Sequence, residues 1–146
     1  LVMDSDFAHP PQMIQTMYEK LANNEFEIVI GSRYISGGKF DDWPIHRKFM
    51  SRLASTLPKF LLGLNVNDSN SGFFAIRKDL IKNLSFEAIG EKILLEILVK
   101  TKGVKIKEIP YICKNRKEGS SKFNFLVINN YFKLLRILLA YNRKFS

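Results

Sequence analysis

The amino-acid sequence predicts an α/β fold. Residues 1–30 read strand, helix, strand, the order that builds a sheet covered by helices. Further along, apolar runs at 72–76 and 106–113 alternate with segments of helical spacing. Composition sets the scale: 146 residues, 46% hydrophobic and 25% charged, are enough for one soluble-globular domain with its own core.

Each element has a local reason. Leu1-Val2-Met3 is a short apolar run that ends in Asp4-Ser5-Asp6. Pro10 and Pro11 open a helix, because proline is tolerated in the first turn. Met13, Ile14, Met17, Tyr18 and Leu21 then recur at helical spacing, and Asn23-Asn24 ends it. Phe26–Ile30 reads as a buried strand closed by Gly31. Ser32–Asp42 reads as a glycine-rich loop carrying Arg33. Pro44 opens a second helix whose expected apolar face is Phe49, Leu53, Leu57, Phe60 and Leu61, with a kink or break expected at Pro58. Asn65–Ser71 is turn-rich and Gly72–Ile76 is a short strand. Leu80–Leu84 and Ile93–Val99 suggest helices. Ile106–Cys113 alternates like one strand, with Pro110 implying an edge or bulge. Lys114–Lys122 is a basic loop.

The last segment, Phe123–Tyr141, is very apolar. Its polar residues Asn129, Lys133 and Arg136 form one narrow stripe. Two charges inside it argue against a clean transmembrane span. Two placements remain open: a helix lying in a membrane interface, or a core helix packed on the sheet. The expected division is therefore 1–122 for the α/β part and 123–146 for an amphipathic helix. The chain opens inside a predicted strand with no charged leader before an apolar stretch. No signal peptide is expected, and further chain is expected upstream.

The net charge is +9, unevenly spread. Residues 1–30 hold five acids against one base, whereas residues 100–146 hold twelve bases against two acids. An acidic end suits a metal ion. A basic end suits nucleic acid, acidic lipid or phosphate, or is simply a solvated face. The single cysteine, Cys113, excludes an intrachain disulfide.

Asp4 and Asp6 are the first candidates for chemistry. Residues i and i+2 of an extended chain point the same way, so both carboxylates can face one point. Converging carboxylates call for a cation, and Mg²⁺ or Mn²⁺ held by one or two carboxylates plus substrate phosphates is the usual solution. A haloacid-dehalogenase-type phosphatase shares the strand-Asp-x-Asp pattern, but Ala8 stands where that pattern carries Thr or Val. Arg33 and Arg47 lie just beyond structured elements, and arginine's rigid fork suits phosphate. Ser51 follows Arg47 by one helical turn, on the same face. Asp68 and Ser71 fit a capping or turn role. His9 and His46 lack metal spacing, and Trp43 fits packing at a helix start. The basic pI of about 9.7 leaves a nucleic-acid-binding domain as a rival, although no such motif is present.

Seven stretches occur in an order with a known counterpart: Val2-Met-Asp-Ser-Asp-Phe-Ala-His-Pro-Pro11, Ile30-Gly-Ser-Arg-Tyr34, His46-Arg-Lys-Phe-Met-Ser-Arg52, Asp68-Ser-Asn-Ser-Gly-Phe73, Leu94-Leu-Glu-Ile-Leu98, Glu108-Ile-Pro110 and Arg116-Lys-Glu-Gly-Ser-Ser-Lys122. Together they resemble the dolichyl-phosphate mannosyltransferase group of family-2 glycosyltransferases, over nearly the whole chain. The resemblance implies a GT-A fold, a Rossmann-like α/β domain with a mixed central sheet. It implies that this chain lacks the family's N-terminal nucleotide-binding strands, so that alone it is expected to bind a nucleotide sugar poorly and to be inactive. It also implies an inverting transfer of a sugar from a nucleotide diphosphate to a polyprenyl (dolichyl) phosphate at the cytoplasmic face of a membrane. GDP-mannose is the leading donor, UDP-glucose the runner-up. No nucleic-acid partner is expected.

The resemblance carries over residue by residue. Asp4 and Asp6 match the metal-binding D-x-D, with Asp6 catalytic. Ala8 stands where the family often has Gln or Ser, so one metal ligand is expected to be replaced, for instance by water. Arg33, Arg47 and Ser51 match the positions that hold the acceptor's phosphate. Asp68 matches an acid near the active site and is counted as catalytic. Arg116 and Lys122 match the basic loop that closes over it, with Arg116 counted as catalytic and Lys122 as substrate-binding.

Overall fold

The computed structural model describes residues 1–4, 9–41, 43–87, 92–114 and 125–145. In chain order its elements are α1 (Met13–Ala22), β1 (Ile28–Ser32), β2 (Lys39–Phe40), α2 (Ile45–Leu62), β3 (Phe74–Ile76), α3 (Lys78–Ile81), α4 (Ile93–Lys100), β4 (Ile106–Pro110), β5 (Ile112–Cys113) and α5 (Phe125–Phe145). The α/β prediction holds. Asp6, Ala8, Arg116 and Lys122 lie outside the described residues.

β1 is the central strand, buried along its whole length. It pairs antiparallel with β3, Ile30 opposite Phe74, and parallel with β4, Ile28 opposite Ile106. The sheet is therefore mixed, in the order β3-β1-β4. The apolar run at residues 1–3 contributes a single antiparallel bridge, Val2 to Phe74, at the β3 edge. Side chains alternate across the sheet. Val29, Phe73 and Ala75 meet Met17 of α1 on one face. Ile28, Ile30 and Phe74 meet α4 and the Leu134, Leu135 and Leu138 stretch of α5 on the other. The interface-or-core alternative for the last helix thus divides along its length. Its middle belongs to the core, while Phe125, Leu126 and Val127 at its start are exposed.

Four local expectations are corrected. The strand expected at Phe26–Ile30 runs two residues later, because its ladder to β4 continues to Ser32. The expected single strand at 106–113 is two strands in two sheets. β4 ends at Pro110, which has no N–H to donate, and β5 pairs parallel with β2, itself inside the expected loop. The expected helix at Leu80–Leu84 is one short turn, α3. In α2 the buried residues are Ser55, Pro58 and Leu62. The stripe read as its buried face, including Phe49, Leu53, Phe60 and Leu61, is largely exposed.

Pro58 neither splits nor ends α2, which runs unbroken to a left-handed cap at Gly63 (φ 66°). A proline inside a helix orphans the carbonyl four residues earlier. Here that is Ala54. Its oxygen accepts from Asn70 Nδ2 at 2.8 Å and from the Tyr131 hydroxyl of α5. The lost intrahelical bond is thereby replaced by two tertiary ones, which tie α2 to the 67–71 segment and to α5.

The reversed face of α2 has a direct test. Leu62→Ala should lower the urea-unfolding free energy by about 2–5 kcal/mol. Phe60→Ala should stay within about 0.5 kcal/mol, the range for exposed substitutions. Equal costs would mean that α2 buries the other stripe.

Candidate functional site

The site is framed by a polar segment, Asn67–Ser71, that bonds to three elements at once. Asp68 is fully buried. Its Oδ2 accepts from the Arg33 amide (3.0 Å) and Arg33 Nε (2.7 Å), and its Oδ1 from Arg33 Nη2 (2.7 Å) and, more weakly, Ser55 Oγ (3.4 Å). The Glu108 carboxylate of β4 accepts from the Asn67 and Asp68 amides at 2.9 and 3.0 Å. Ser71 Oγ donates to the Gly31 carbonyl at 2.6 Å. The segment thus joins the end of β1, the middle of α2 and β4.

These bonds surround a cavity of about 320 Å³. Asp4, Arg33, Arg47 and Ser51, four of the residues singled out from sequence, all line it. Asp68 lies behind its wall and reaches it through Arg33. The Arg47 guanidinium sits 3.6 Å from the Trp43 ring centroid, a cation–π geometry that fixes its stem and aims it. Ser51 Oγ accepts from the Tyr34 hydroxyl at 2.7 Å. The rim is apolar. Met50 and Leu53 of α2 and Val127 and Phe132 of α5 line it while remaining 38–50% exposed.

Sequence reasoning missed several lining residues. His9, set aside for want of metal spacing, is buried, stacks on Phe73, and its Nδ1 accepts from the Asp4 amide at 3.3 Å. Lys92, Lys114, Asn70 and Tyr131 also face the cavity. His9 and Asn70 lie inside quoted motifs without a role of their own, Lys92 and Lys114 have no stronger signal than their place beside one, and Tyr131 lies in none of them. Their convergence depends on how α2, α4 and α5 pack.

Asp4 supplies the one described ligand of the candidate metal pair. Its carboxylate rests against Gly72 so closely that a Cβ there would meet Asp4 Oδ2 at 2.9 Å. A side chain at position 72 would therefore push the Asp4 carboxylate from its present place at the cavity mouth. A hard carboxylate oxygen beside cationic side chains fits a Mg²⁺ or Mn²⁺ that is shared with substrate phosphates. Among the described residues no three His, Cys, Asp or Glu groups gather into a closed metal cage.

Electrostatics separate the two arginines. Burial opposes the Arg33 charge, but the Asp68 hydrogen bonds and charge outweigh it and hold the guanidinium above its ordinary value. Arg33 and Asp68 thus form a neutral, committed pair. Arg47 lines the same cavity, stacked on Trp43. Burial pushes the phenols of Tyr34 and Tyr131 up, with the Ser51 and Asn70 contacts respectively pulling back, so both stay protonated donors.

The chain belongs to glycosyl transferase family 2, whose signature matches residues 1–85. Its mixed sheet fits the GT-A class of that family. The chain is similar to the dolichol-phosphate mannosyltransferase of Pyrococcus furiosus, 38% identical over 97% of this chain and 40% of that protein. It is likewise similar to the undecaprenyl-phosphate mannosyltransferase of Micrococcus luteus, 34% identical over 84% of this chain and 51% of that one. The dolichol-phosphate mannosyltransferase of Saccharomyces cerevisiae is 34% identical over 95% of this chain and 54% of its own. The chain spans about half the length of the relatives it matches. Family membership replaces the phosphatase and nucleic-acid-binding readings of the same residues.

Asp68→Asn should cost about 3–5 kcal/mol in chemical denaturation, the penalty for stranding a buried charge. An Arg33→Met, Asp68→Leu double variant should recover much of that loss. If Asp68→Asn unfolds like the parent protein, the pair is not what frames the site.

Proposed function

We propose that the protein is an inverting, metal-dependent glycosyltransferase that moves mannose from GDP-mannose to a polyprenyl phosphate at a membrane surface. The observation that carries this reading is a cavity cationic within and apolar at its rim. A phosphate would enter between Arg47, Arg33 and Ser51. The hydrocarbon behind it would leave over Met50, Leu53, Val127 and Phe132. The mannosyltransferase names of the relatives support the choice of sugar over glucose from UDP-glucose.

Asp4 and Asp6 would hold Mg²⁺ or Mn²⁺, which supplies Lewis-acid neutralisation of a diphosphate. The remaining work falls to the chain itself. Arg47 orients the acceptor phosphate, and the Arg33 edge not engaged by Asp68 adds further donors. The attacking atom is an acceptor phosphate oxygen, and the bond broken joins the anomeric carbon to the nucleoside diphosphate. A phosphate monoester has its second pKa at about 6, so it is ionised at neutral pH and needs no strong general base. Cationic side chains around the cavity offset repulsion between two anionic substrates. Arg116 and Lys122 would close the basic loop over them.

The exposed apolar residues of α2 and the start of α5 would lie in the membrane interface. The described residues contain no helix long and apolar enough to cross a membrane. Basic side chains near an anionic leaflet add about 1 kcal/mol each, which favours the cytoplasmic face.

In the whole protein, Asp6→Ala or a chelator should abolish transfer from GDP-mannose. Undiminished turnover in Asp6→Ala would remove the metal assignment. Arg47→Ala should raise the KM for polyprenyl phosphate by about 10- to 100-fold, the value of one charge-assisted hydrogen bond, with little change in the KM for donor. A donor-side defect alone would move Arg47 out of the acceptor site.

A further inference from the structure

A second, smaller cavity of about 170 Å³ opens on the other flank of α2. It is lined by Tyr34, Arg52, Thr56, Lys59, Phe60 and Asn67. Arg52, Thr56 and Lys59 follow one another at i, i+4 and i+7, so they share one helix face. The Arg52 guanidinium lies 5.1 Å from the Tyr34 ring centroid and pairs with no carboxylate among the described residues. Lys59 Nζ donates to Asn67 Oδ1 at 3.1 Å, which leaves two of its hydrogens free. The neighbouring acid, Glu108, has both carboxylate oxygens engaged by the Asn67 backbone and side-chain amides and the Asp68 amide. The Tyr34 hydroxyl is also committed, to Ser51.

We propose that this cavity is a second phosphate-binding site, distinct from the transfer site, in which the Arg52 fork, the Lys59 ammonium and the Thr56 hydroxyl converge on one phosphate group. The donor set fits the chemistry. Guanidinium binds two oxygens side by side, ammonium adds a point charge, and a hydroxyl completes the shell. Position then selects among sources. Phe60, on the rim, is 80% exposed, and the cations flank the exposed stripe of Ile45, Phe49 and Leu53. A phosphodiester headgroup would meet the cavity where its acyl chains meet that stripe. Free phosphate offers the same oxygens without the chains. The site stands on its own residues, so it survives or fails independently of the transferase reading.

The test reads binding, not turnover. One arm measures co-flotation of the protein with phosphatidylcholine vesicles, with and without phosphatidylglycerol. The other titrates inorganic phosphate and follows the NMR signals of Arg52 Nε–H and the Asn67 amide. The variant is Arg52→Gln with Lys59→Gln. The control, Lys78→Gln with Lys82→Gln at the two ends of α3, removes the same charge elsewhere. A lipid headgroup predicts that the cavity variant loses about tenfold or more of the phosphatidylglycerol preference, the factor for one charge-assisted hydrogen bond, while the control keeps it. A soluble phosphate predicts saturable shifts at Arg52 Nε–H and the Asn67 amide in the parent protein, loss of the Asn67 shift in the cavity variant, and no dependence on vesicle charge. Equal losses in the two variants, or no response in either arm, would overturn the site.

Discussion

A carboxylate sealed from water organises this domain. Asp68 is fully buried, and burying an ion costs several kcal/mol unless its partners are well placed. Arg33 supplies three of those partners through its amide, Nε and Nη2, and Ser55 adds a weaker fourth. The consequence is geometric. Arg33 follows directly on β1, Ser55 lies mid-helix in α2, and the amides of Asn67 and Asp68 are held by Glu108 of β4. Satisfying one charge therefore ties the end of the central strand to α2 and β4, behind the wall of the main cavity.

The second constraint is Pro58. A helix with a free carbonyl at Ala54 has a docking point that an ordinary helix lacks. Asn70 and Tyr131 use it, so the loop before β3 and the last helix meet α2 at one atom. In the same helix Ser55 and Leu62 face inward, while Ile45, Phe49, Leu53 and Phe60 are outside. The outward stripe is difficult to reconcile with a helix surrounded only by water. It agrees with the proposed use of this face against lipid, with a phosphate cavity on either flank of α2.

Much of the architecture was legible because it rests on local patterns. The Pro10-Pro11 opening and the spacing from Met13 to Leu21 mark α1 to within a turn. The run ending in Gly31 marks β1, displaced by two residues. Asp4, Arg33, Arg47 and Ser51 were singled out as residue types suited to metal and phosphate, and the fold brings all four to one cavity. The failures share one cause. In α2 both faces carry apolar residues, so periodicity alone does not say which face is buried. In 106–113 a continuous alternation hides a change of sheet, since Pro110 ends one ladder and nothing local announces β2 as the next partner.

Sequence by itself determined the α/β class, the family motifs and the chemical character of the site, because those depend on residue type and short-range order. Tertiary structure decided roles. It converted Asp68 from a candidate acid in the site into the buried partner of Arg33, because a carboxylate with its lone pairs taken by one guanidinium has little left to offer a substrate. It brought His9, Lys92, Lys114 and Tyr131 to the cavity, since only packing brings residues so far apart in the chain into contact. It also decided which face of α2 is buried, because both faces carry apolar residues and only the packing against the 67–71 segment and α5 distinguishes them.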